Sequence, residues 1–312
     1  MMNYYELKPE ENTFKTIIIQ TTYQCQMKCS NCYLGDMLND DSIPNVDYDK
    51  LSSVLEKLPS RCDIRFIGAE PTLNKQLPEL LKLVRDKGHR PSMLSNGLKL
   101  SREPYAKELK DAGLNTLGLS MNGGTDDSVY QLYDNGKYAK QKMKALENCF
   151  KVKIIPHINI IVTPLNLHVL KPLLSLIVDL AIKNKIVISP IKFPVMIRPK
   201  SIGQMGNFLD TKSYNLNELS EIISVLTGVS VDDIMKHTNV DGYNEVGTLV
   251  FPFKTEAGDM LCKITDWNVD DDGVIDGGSW RRGILTDNYT IAPAFEYYAK
   301  QVNSYENREH NI

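Results

Sequence analysis

The sequence has no long uninterrupted apolar run. Its longest apolar stretch, LKPLLSLIVDLAI, contains Pro172 and Asp179 and is shorter than a bilayer-spanning helix. The start, MMNYYELKPEENTF, is polar and acidic and has none of the apolar core of a signal peptide. We therefore expect no membrane association and predict a cytoplasmic protein, whose thiols stay reduced.

The chain also lacks a strong charge of either sign. Its net charge is −3, so no electrostatic pattern points to nucleic acid or to an anionic membrane surface. The 312 residues suffice for a sizeable core in one large domain, with or without a small appended one. With 42% hydrophobic and 24% charged residues, the composition is that of an ordinary globular protein.

Cysteine is scarce, but half of it is concentrated in one place. Of six cysteines, Cys25, Cys29 and Cys32 fall within eight positions of the stretch QCQMKCSNCY. Such a group in a reducing compartment favours a metal or redox centre over a disulfide. Structural zinc needs four ligands, and no fourth Cys or His follows nearby. Three thiolates with one open position suit a [4Fe–4S] cluster, with zinc or plain thiols as alternatives.

Short β-branched runs alternate with amphipathic helical segments between residues 15 and 195. The predicted strands lie in KTIIIQTTYQC, CDIRFIGAEP, RPSMLSNG, NTLGLSMNG, KIIPHINIIVT and KIVISPIKF. Six βα units predict an α/β fold with a parallel sheet, and six are too few for a full eight-fold barrel. We therefore predict a partial (β/α)6 barrel over 15–195, with one helix near 126 to 149.

The pattern changes after residue 196. A long Gly- and Pro-containing loop precedes a helix in NLNELSEIISVLTG, and strands are predicted in TLVFPFKT, MLCKITDWNV and GVID. A turn through DDDG joins the last two, and APAFEYYAKQVNSYE is predicted as a helix. We interpret 196–312 as a small α+β cap that covers the substrate.

Polar motifs end the predicted strands. The second strand ends in GAEP (Gly68, Ala69, Glu70), the third in SNG (Ser95, Asn96) and the fourth in LSMNG (Ser120, Asn122). Together with Cys-x3-Cys-x2-Cys after the first strand, this ordered set resembles the radical S-adenosylmethionine (radical SAM) superfamily. The family motif has a second Gly where this chain has Ala69, and an aromatic residue where it has Asn31, with Tyr33 just after.

The resemblance implies one [4Fe–4S] cluster on Cys25, Cys29 and Cys32, with S-adenosylmethionine (SAM) chelating the open iron. It also implies reductive cleavage of SAM to a 5′-deoxyadenosyl radical, an electron donor such as flavodoxin or ferredoxin, and a small-molecule or peptide substrate. Glu70 would hold the amino group of SAM through a charge-assisted bond. The other implied cofactor contacts are Tyr33, Gly68, Ala69, Ser95, Asn96, Ser120, Asn122 and, stacking on adenine, Ile160.

Cys262 is the one cysteine in the C-terminal part, where LCKITDWNVDDDGVIDGG resembles a SPASM or twitch hairpin without its other ligands. By resemblance to radical SAM epimerases, we predict that Cys262 returns a hydrogen atom to an amino sugar or peptide residue. A buried small apolar side chain is the alternative, which we adopt for Cys62 and Cys149. A dehydrogenase or peptide cross-linking enzyme would need no donor, and an iron–sulfur electron carrier or sensor is a more distant hypothesis.

Acidic and aromatic residues surround Cys262 in the sequence. Asp266, the run Asp270 to Asp272 and the two tryptophans would suit a polar, cationic or sugar-like substrate, or form an ordinary Asp-rich turn. His157, beside an apolar run, is interpreted as structural.

Overall fold

The structure is a computed structural model. It describes residues 4–30, 32, 34–186, 191–194, 214–236, 248–265, 282–294, 296–298, 300 and 301, with only the backbone at 191–194, 248 and 265. Across these ranges, no helix combines the length and the apolar character needed to cross a bilayer.

Strands and helices alternate through the first two thirds of the chain. The strands are β1 (Thr16–Gln20), β2 (Asp63–Ile67), β3 (Arg90–Ser95), β4 (Thr116–Ser120), β5 (Ile155–Asn159), β6 (Ile191–Pro194), β7 (Thr248–Thr255), β8 (Gly258–Thr265), β9 (Arg282–Leu285) and β10 (Ile291–Pro293). The α-helices are α1 (Tyr48–Lys57), α2 (Leu77–Asp86), α3 (Glu103–Asp111), α4 (Asp127–Asp134), α5 (Ala139–Lys151), α6 (Leu167–Asn184), α7 (Leu216–Thr227) and α8 (Val231–Lys236).

The described strands form one open sheet of ten, in the order β10-β9-β1-β2-β3-β4-β5-β6-β8-β7. All neighbouring pairs from β9 through β8 are parallel, and only the edge strands β10 and β7 run antiparallel to their neighbours. The predicted α/β class and the parallel sheet of six βα units are confirmed. The sheet is not closed into a barrel, which is compatible with the predicted partial barrel.

The two faces of the sheet have different partners. Ile17 and Ile19 of β1 share a large buried core with Leu51 and Leu55 of α1, and we call this the helix-side core. Because side chains alternate along a strand, Ile18 points the other way and packs with residues such as Ile67, Ile284 and Tyr297. We call this second side the inner face.

The predicted single helix near 126 to 149 is in fact two. Asn135 ends α4 in the left-handed conformation, with φ 53° and ψ 39°, and α5 begins only at Ala139. Asn tolerates this conformation better than most residues, and the following Gly136 has little helix propensity. The break turns the end of α4 toward the loop that carries the three clustered cysteines.

The C-terminal strands extend the sheet at both edges instead of forming a layer of their own. The hairpin of β7 and β8 joins beside β6, while β9 and β10 join beside β1. The strands predicted in TLVFPFKT and around Cys262 are confirmed, joined through a two-residue turn at Glu256 and Ala257. The short strands β9 and β10 were not predicted, and the predicted GVID strand and DDDG turn lie outside the described residues.

Candidate functional site

The candidate site lies at the carboxyl ends of the parallel strands, where such sheets bind ligands. The loop after β1 carries Cys25, Cys29 and Cys32, all partly exposed. Two backbone bonds tie this loop region to the end of β2: Ala69 N donates to Thr22 O at 3.0 Å, and Glu70 N donates to Gln24 O at 3.0 Å. The first two predicted motifs are therefore neighbours in space.

The cysteine sulfurs accept hydrogen bonds from the chain. Met27 N lies 3.3 Å from Cys25 Sγ, and Asn96 Nδ2 lies 3.7 Å from the same sulfur. The backbone amides of Leu34 and Gly35 bond to Cys32. Donors directed at sulfur stabilise thiolates and tune iron–sulfur clusters, so this set of thiols and donors fits such a group.

Burial raises the pKa of all three thiols, that of Cys25 to about 11, partly offset there by the Met27 amide. The chain alone therefore keeps these groups protonated, and a bound metal would have to displace the protons. Within the described ranges, no three His, Cys, Asp or Glu side chains converge closely enough for one metal ion.

Gly68 permits the close approach of β2's end to the loop after β1. Its φ is 154°, and a Cβ at this position would lie 2.5 Å from Thr22 O, a distance that real Cβ atoms do not adopt. The first residue of the GAEP motif is therefore required by backbone packing. Ala69 occupies the position where the family motif has a second Gly, and it packs against the small core around Tyr23, Leu34 and Met37.

The carboxylate of Glu70 is fully buried and accepts four hydrogen bonds. Oε1 accepts from Thr72 N at 3.1 Å, Thr72 Oγ1 at 2.7 Å and Ser95 Oγ at 2.8 Å, and Oε2 accepts from Asn96 N at 2.7 Å. A carboxylate offers about four lone-pair sites, two on each oxygen. Glu70 thus joins the ends of β2 and β3, and the least occupied acceptor position left for a ligand is on Oε2.

The SNG and LSMNG motifs differ in how many hydrogen bonds their side chains already make within the protein. Ser95 Oγ donates to Glu70 and accepts from Gly97 N at 2.9 Å. Asn122 Oδ1 accepts from Ile161 N at 3.0 Å. Among described residues, the hydroxyl of Ser120 has no hydrogen-bond partner, so it is available to a ligand.

Two predicted contacts have other surroundings. Ile160 is 1% exposed and belongs to the helix-side core, because it follows the alternation of Ile154 and Ile158. Ile160 thus packs on the helix side while Asn159 lies on the inner face, and the contact of Ile160 with adenine stays a prediction. Tyr33 lies outside the described residues.

Cys262 is also on the helix side. It is fully buried on β8 between Met260 and Ile264, in the core that includes Leu219 of α7. Burial raises the pKa of its thiol well above the ordinary value. A hydrogen donor must reach the substrate, and this sulfur faces away from the inner face, so the predicted donor role is not supported. The alternative, a buried small side chain, describes Cys262 as it does Cys62 and Cys149.

The inner face also carries a group of cations that was not predicted from the sequence. Arg65 lies between Ile64 and Phe66, which belong to the helix-side core, so it points to the opposite face. Lys263 lies next to Cys262 of the same core and also points away from it. Arg282 lies two residues before Ile284 on β9 and therefore shares its place on the inner face. Burial, with a contribution from the charge of Arg65, lowers the pKa of Lys263 to about 8 and that of Arg282 to about 9. Alternation along β2 and β8 separates Arg65 and Lys263 from the apolar side chains of these strands, but only the pairing of the strands brings the two cations to the same face of the sheet.

Arg65 lines a cavity of roughly 430 Å³, together with His157 of β5 and Gly118 of β4. Its guanidinium forms no hydrogen bond or ion pair with another described residue. Asp63, which also lines the cavity, is bonded to Arg90. The cavity therefore has a positively charged wall, and His157 lies on the inner face rather than in the core.

A family model described as the radical SAM superfamily matches residues 19–177. The match covers the clustered cysteines and the ends of β2 to β5.

Among curated proteins, 7,8-dihydro-6-hydroxymethylpterin dimethyltransferase of Methanocaldococcus jannaschii is 32% identical over 139 residues, covering 43% of this chain and 27% of that protein. PqqA peptide cyclase of Bradyrhizobium diazoefficiens is 25% identical over 166 residues, covering 53% of this chain and 43% of that protein. These alignments span less than half of the relatives' lengths.

Among solved structures, Streptococcus suis SuiB bound to S-adenosylmethionine superimposes with a TM-score of 0.59 at 14% identity, covering 90% of this chain and 60% of SuiB. SuiB bound to the precursor peptide SuiA gives a TM-score of 0.58 at 15% identity, covering 91% and 60%. At these identities the likeness concerns the fold.

Proposed function

The chain belongs to the radical SAM superfamily, and from that membership we propose that Cys25, Cys29 and Cys32 hold one [4Fe–4S] cluster that binds SAM. Members of this family bind such a cluster and SAM. The single observation that carries the assignment is the loop after β1, where hydrogen-bond donors face the sulfurs at the sheet edge that binds ligands.

The residues at the strand ends would position SAM around that loop. Ser120 offers a hydroxyl that makes no bond to another described residue, and Asn122 offers amide hydrogens beside it. Oε2 of Glu70 could accept one ammonium hydrogen while its other bonds keep β2 and β3 together. When bound, the cluster and SAM supply a 5′-deoxyadenosyl radical that removes a hydrogen atom from a substrate carbon.

We propose that the outcome is dehydrogenation or cross-linking rather than epimerisation. Inversion requires a hydrogen donor on the opposite side of the substrate, and Cys262 packs under α7 instead. An epimerase built on this chain would need a different donor. A peptide substrate is supported by the partial similarity to a peptide cyclase.

The cations on the inner face supply a substrate preference. Arg65, Lys263 and Arg282 come from three strands, and all three lie on the inner face of the sheet. The guanidinium of Arg65, which makes no hydrogen bond or ion pair with another described residue, favours an anionic ligand in this partly desolvated space. We propose that the substrate carries a carboxylate or phosphate that Arg65 binds.

The experiment is reductive cleavage of SAM. Protein reconstituted anaerobically with iron and sulfide, then reduced with dithionite, should convert SAM to methionine and 5′-deoxyadenosine. Protein in which all three clustered cysteines are changed to Ala should not. If the wild type binds about four irons and yet leaves SAM intact, the electron carrier or sensor hypothesis takes the place of this one.

The electron donor and the location complete the proposal. A small reductant such as flavodoxin or ferredoxin would deliver the electron at the partly exposed cysteine loop. The cytoplasm, where thiols stay reduced, suits the three unpaired cysteines of this loop.

A further inference from the structure

A lysine is completely buried beside the cysteine loop. Lys142 of α5 has 0% exposure, and no ordinary surface role accounts for it. Lysine is almost never fully buried unless its charge is compensated, because removing an ammonium from water costs several kcal/mol. Burial lowers the pKa of Lys142, while Asp134, Cys29, Glu70 and Cys25, in that order, counteract this effect.

The ammonium of Lys142 bonds to the ends of two cofactor strands. Nζ donates to Asn96 O at 3.0 Å and to Ser120 O at 2.9 Å. Asn96 directly follows β3 and Ser120 ends β4, and both belong to the predicted SAM motifs. It lies 5.3 Å from the centre of the Tyr130 ring. The ammonium of Lys142 thus holds the backbone of the SNG and LSMNG motifs together through their carbonyl oxygens.

The same ammonium reaches the cysteine loop through Asp134. Asp134 Oδ2 lies 3.8 Å from Lys142 Nζ, and the Asp134 side chain is hydrogen bonded to Cys29. Two further bonds join the cysteine loop to the end of α4. Ser30 N donates to Tyr133 O at 2.9 Å, and Asn135 Nδ2 donates to Lys28 O. The buried charge pair therefore sits directly behind a proposed cluster ligand.

We propose that Lys142 is a positioning residue that sets the reduction potential of the cluster bound by Cys29 and its neighbours, an inference that rests on the proposed function. Reduction adds one negative charge to the cluster. The attraction between that charge and a nearby cation is stronger in low-dielectric surroundings than it would be across water. Net charge and hydrogen bonding around the sulfurs are the levers by which proteins tune such potentials. Asp134 opposes the effect and limits it.

The experiment measures the midpoint potential by redox titration monitored by electron paramagnetic resonance, after iron content and thermal unfolding have been checked. The decisive pair is Asp134→Asn against Asp134→Asn with Lys142→Met, because no carboxylate at 134 can then take up a proton and compensate. We expect loss of Lys142 to lower the ratio of reduced to oxidised cluster about tenfold at a fixed potential, which is a shift of about 59 mV for a one-electron couple. Lys144→Met, an exposed change two residues away, should produce no shift.

Two further variants separate charge from packing. Asp134→Asn alone should raise the potential, since it removes a negative charge beside Cys29. Lys142→Gln should lower it as Lys142→Met does, even if its amide restores stability by bonding to a carbonyl. Unchanged potentials in protein holding about four irons would overturn the inference. Should Lys142 variants not fold, an unchanged potential in Asp134→Asn would overturn it, whereas wild-type protein without iron would refute the proposed function instead.

Discussion

The six cysteines divide equally between two regions of the molecule, one polar and partly exposed, the other apolar and buried. Cys25, Cys29 and Cys32 lie on a loop at the carboxyl edge of the sheet, partly exposed and near polar donors. Cys62, Cys149 and Cys262 lie in the helix-side core among apolar side chains. The same residue type is thus a candidate ligand on the exposed loop and a small packed side chain in the core, so its position in the fold separates the two roles.

The largest expected effect comes from removing the sulfurs at the carboxyl edge. Changing Cys25, Cys29 and Cys32 together to Ala should reduce bound iron from about four per chain to none, because no other described cysteine faces this edge. Iron analysis after anaerobic reconstitution measures this. Cys149→Ala is the matched control from the core and should keep its iron. Iron retained by the triple variant would contradict the assignment of the loop cysteines as the iron ligands.

Glu70 tests whether the carboxyl edge is held together by its polar network. Glu70→Gln weakens bonds from Thr72, Ser95 and Asn96 and replaces a buried charge-assisted acceptor. We expect the free energy of unfolding of the apoprotein to fall by about 1.5–3 kcal/mol, measured by urea denaturation. SAM affinity should also decrease, with iron content unchanged. The exposed Glu79→Gln on α2 should leave stability as it is; equal behaviour of both variants would argue against the network.

Cys262 tests the core side of the comparison. Cys262→Ala removes one buried sulfur and should lower stability by about 1 kcal/mol. Cleavage of SAM and hydrogen abstraction should be unchanged, because the thiol points into the helix-side core. Both are measured on the same preparation. Selective loss of an inverted product, with SAM cleavage intact, would return Cys262 to the role of hydrogen donor.

Ser120 should give a small effect that is confined to cofactor binding. Its hydroxyl bonds to no described residue, so Ser120→Ala should leave thermal unfolding unchanged while weakening SAM binding by about 0.5–1.5 kcal/mol. Equilibrium binding to the reconstituted protein measures this. Ser53→Ala, on the exposed side of α1, should change neither property. A large loss of stability in Ser120→Ala would show that the side chain is structural.

The sequence was sufficient for those features that depend on local order along the chain. The six strands, their parallel arrangement and the convergence of GAEP, SNG and LSMNG with the cysteine loop all follow from periodicity and from the rule that parallel strands end at one edge. Gly68 could be placed there, although its close approach to Thr22 is visible only in the structure.

Features that depend on long-range pairing were not predictable. Which side of β8 Cys262 faces is set by its pairing with β6 and β7, and these contacts join residues far apart in the chain. Ile160 was assigned to the ligand by position at a strand end, whereas alternation places it in the core. The strands β9 and β10 are too short to leave a periodic signal.

The most direct test of the central claim is Mössbauer spectroscopy of the protein reconstituted with ⁵⁷Fe, before and after addition of SAM. We predict about four irons per chain in a single [4Fe–4S] cluster, with the signal of one iron changing when SAM binds to its open site. Stoichiometric zinc after anaerobic purification, about eight irons per chain, or four irons that do not respond to SAM would contradict it.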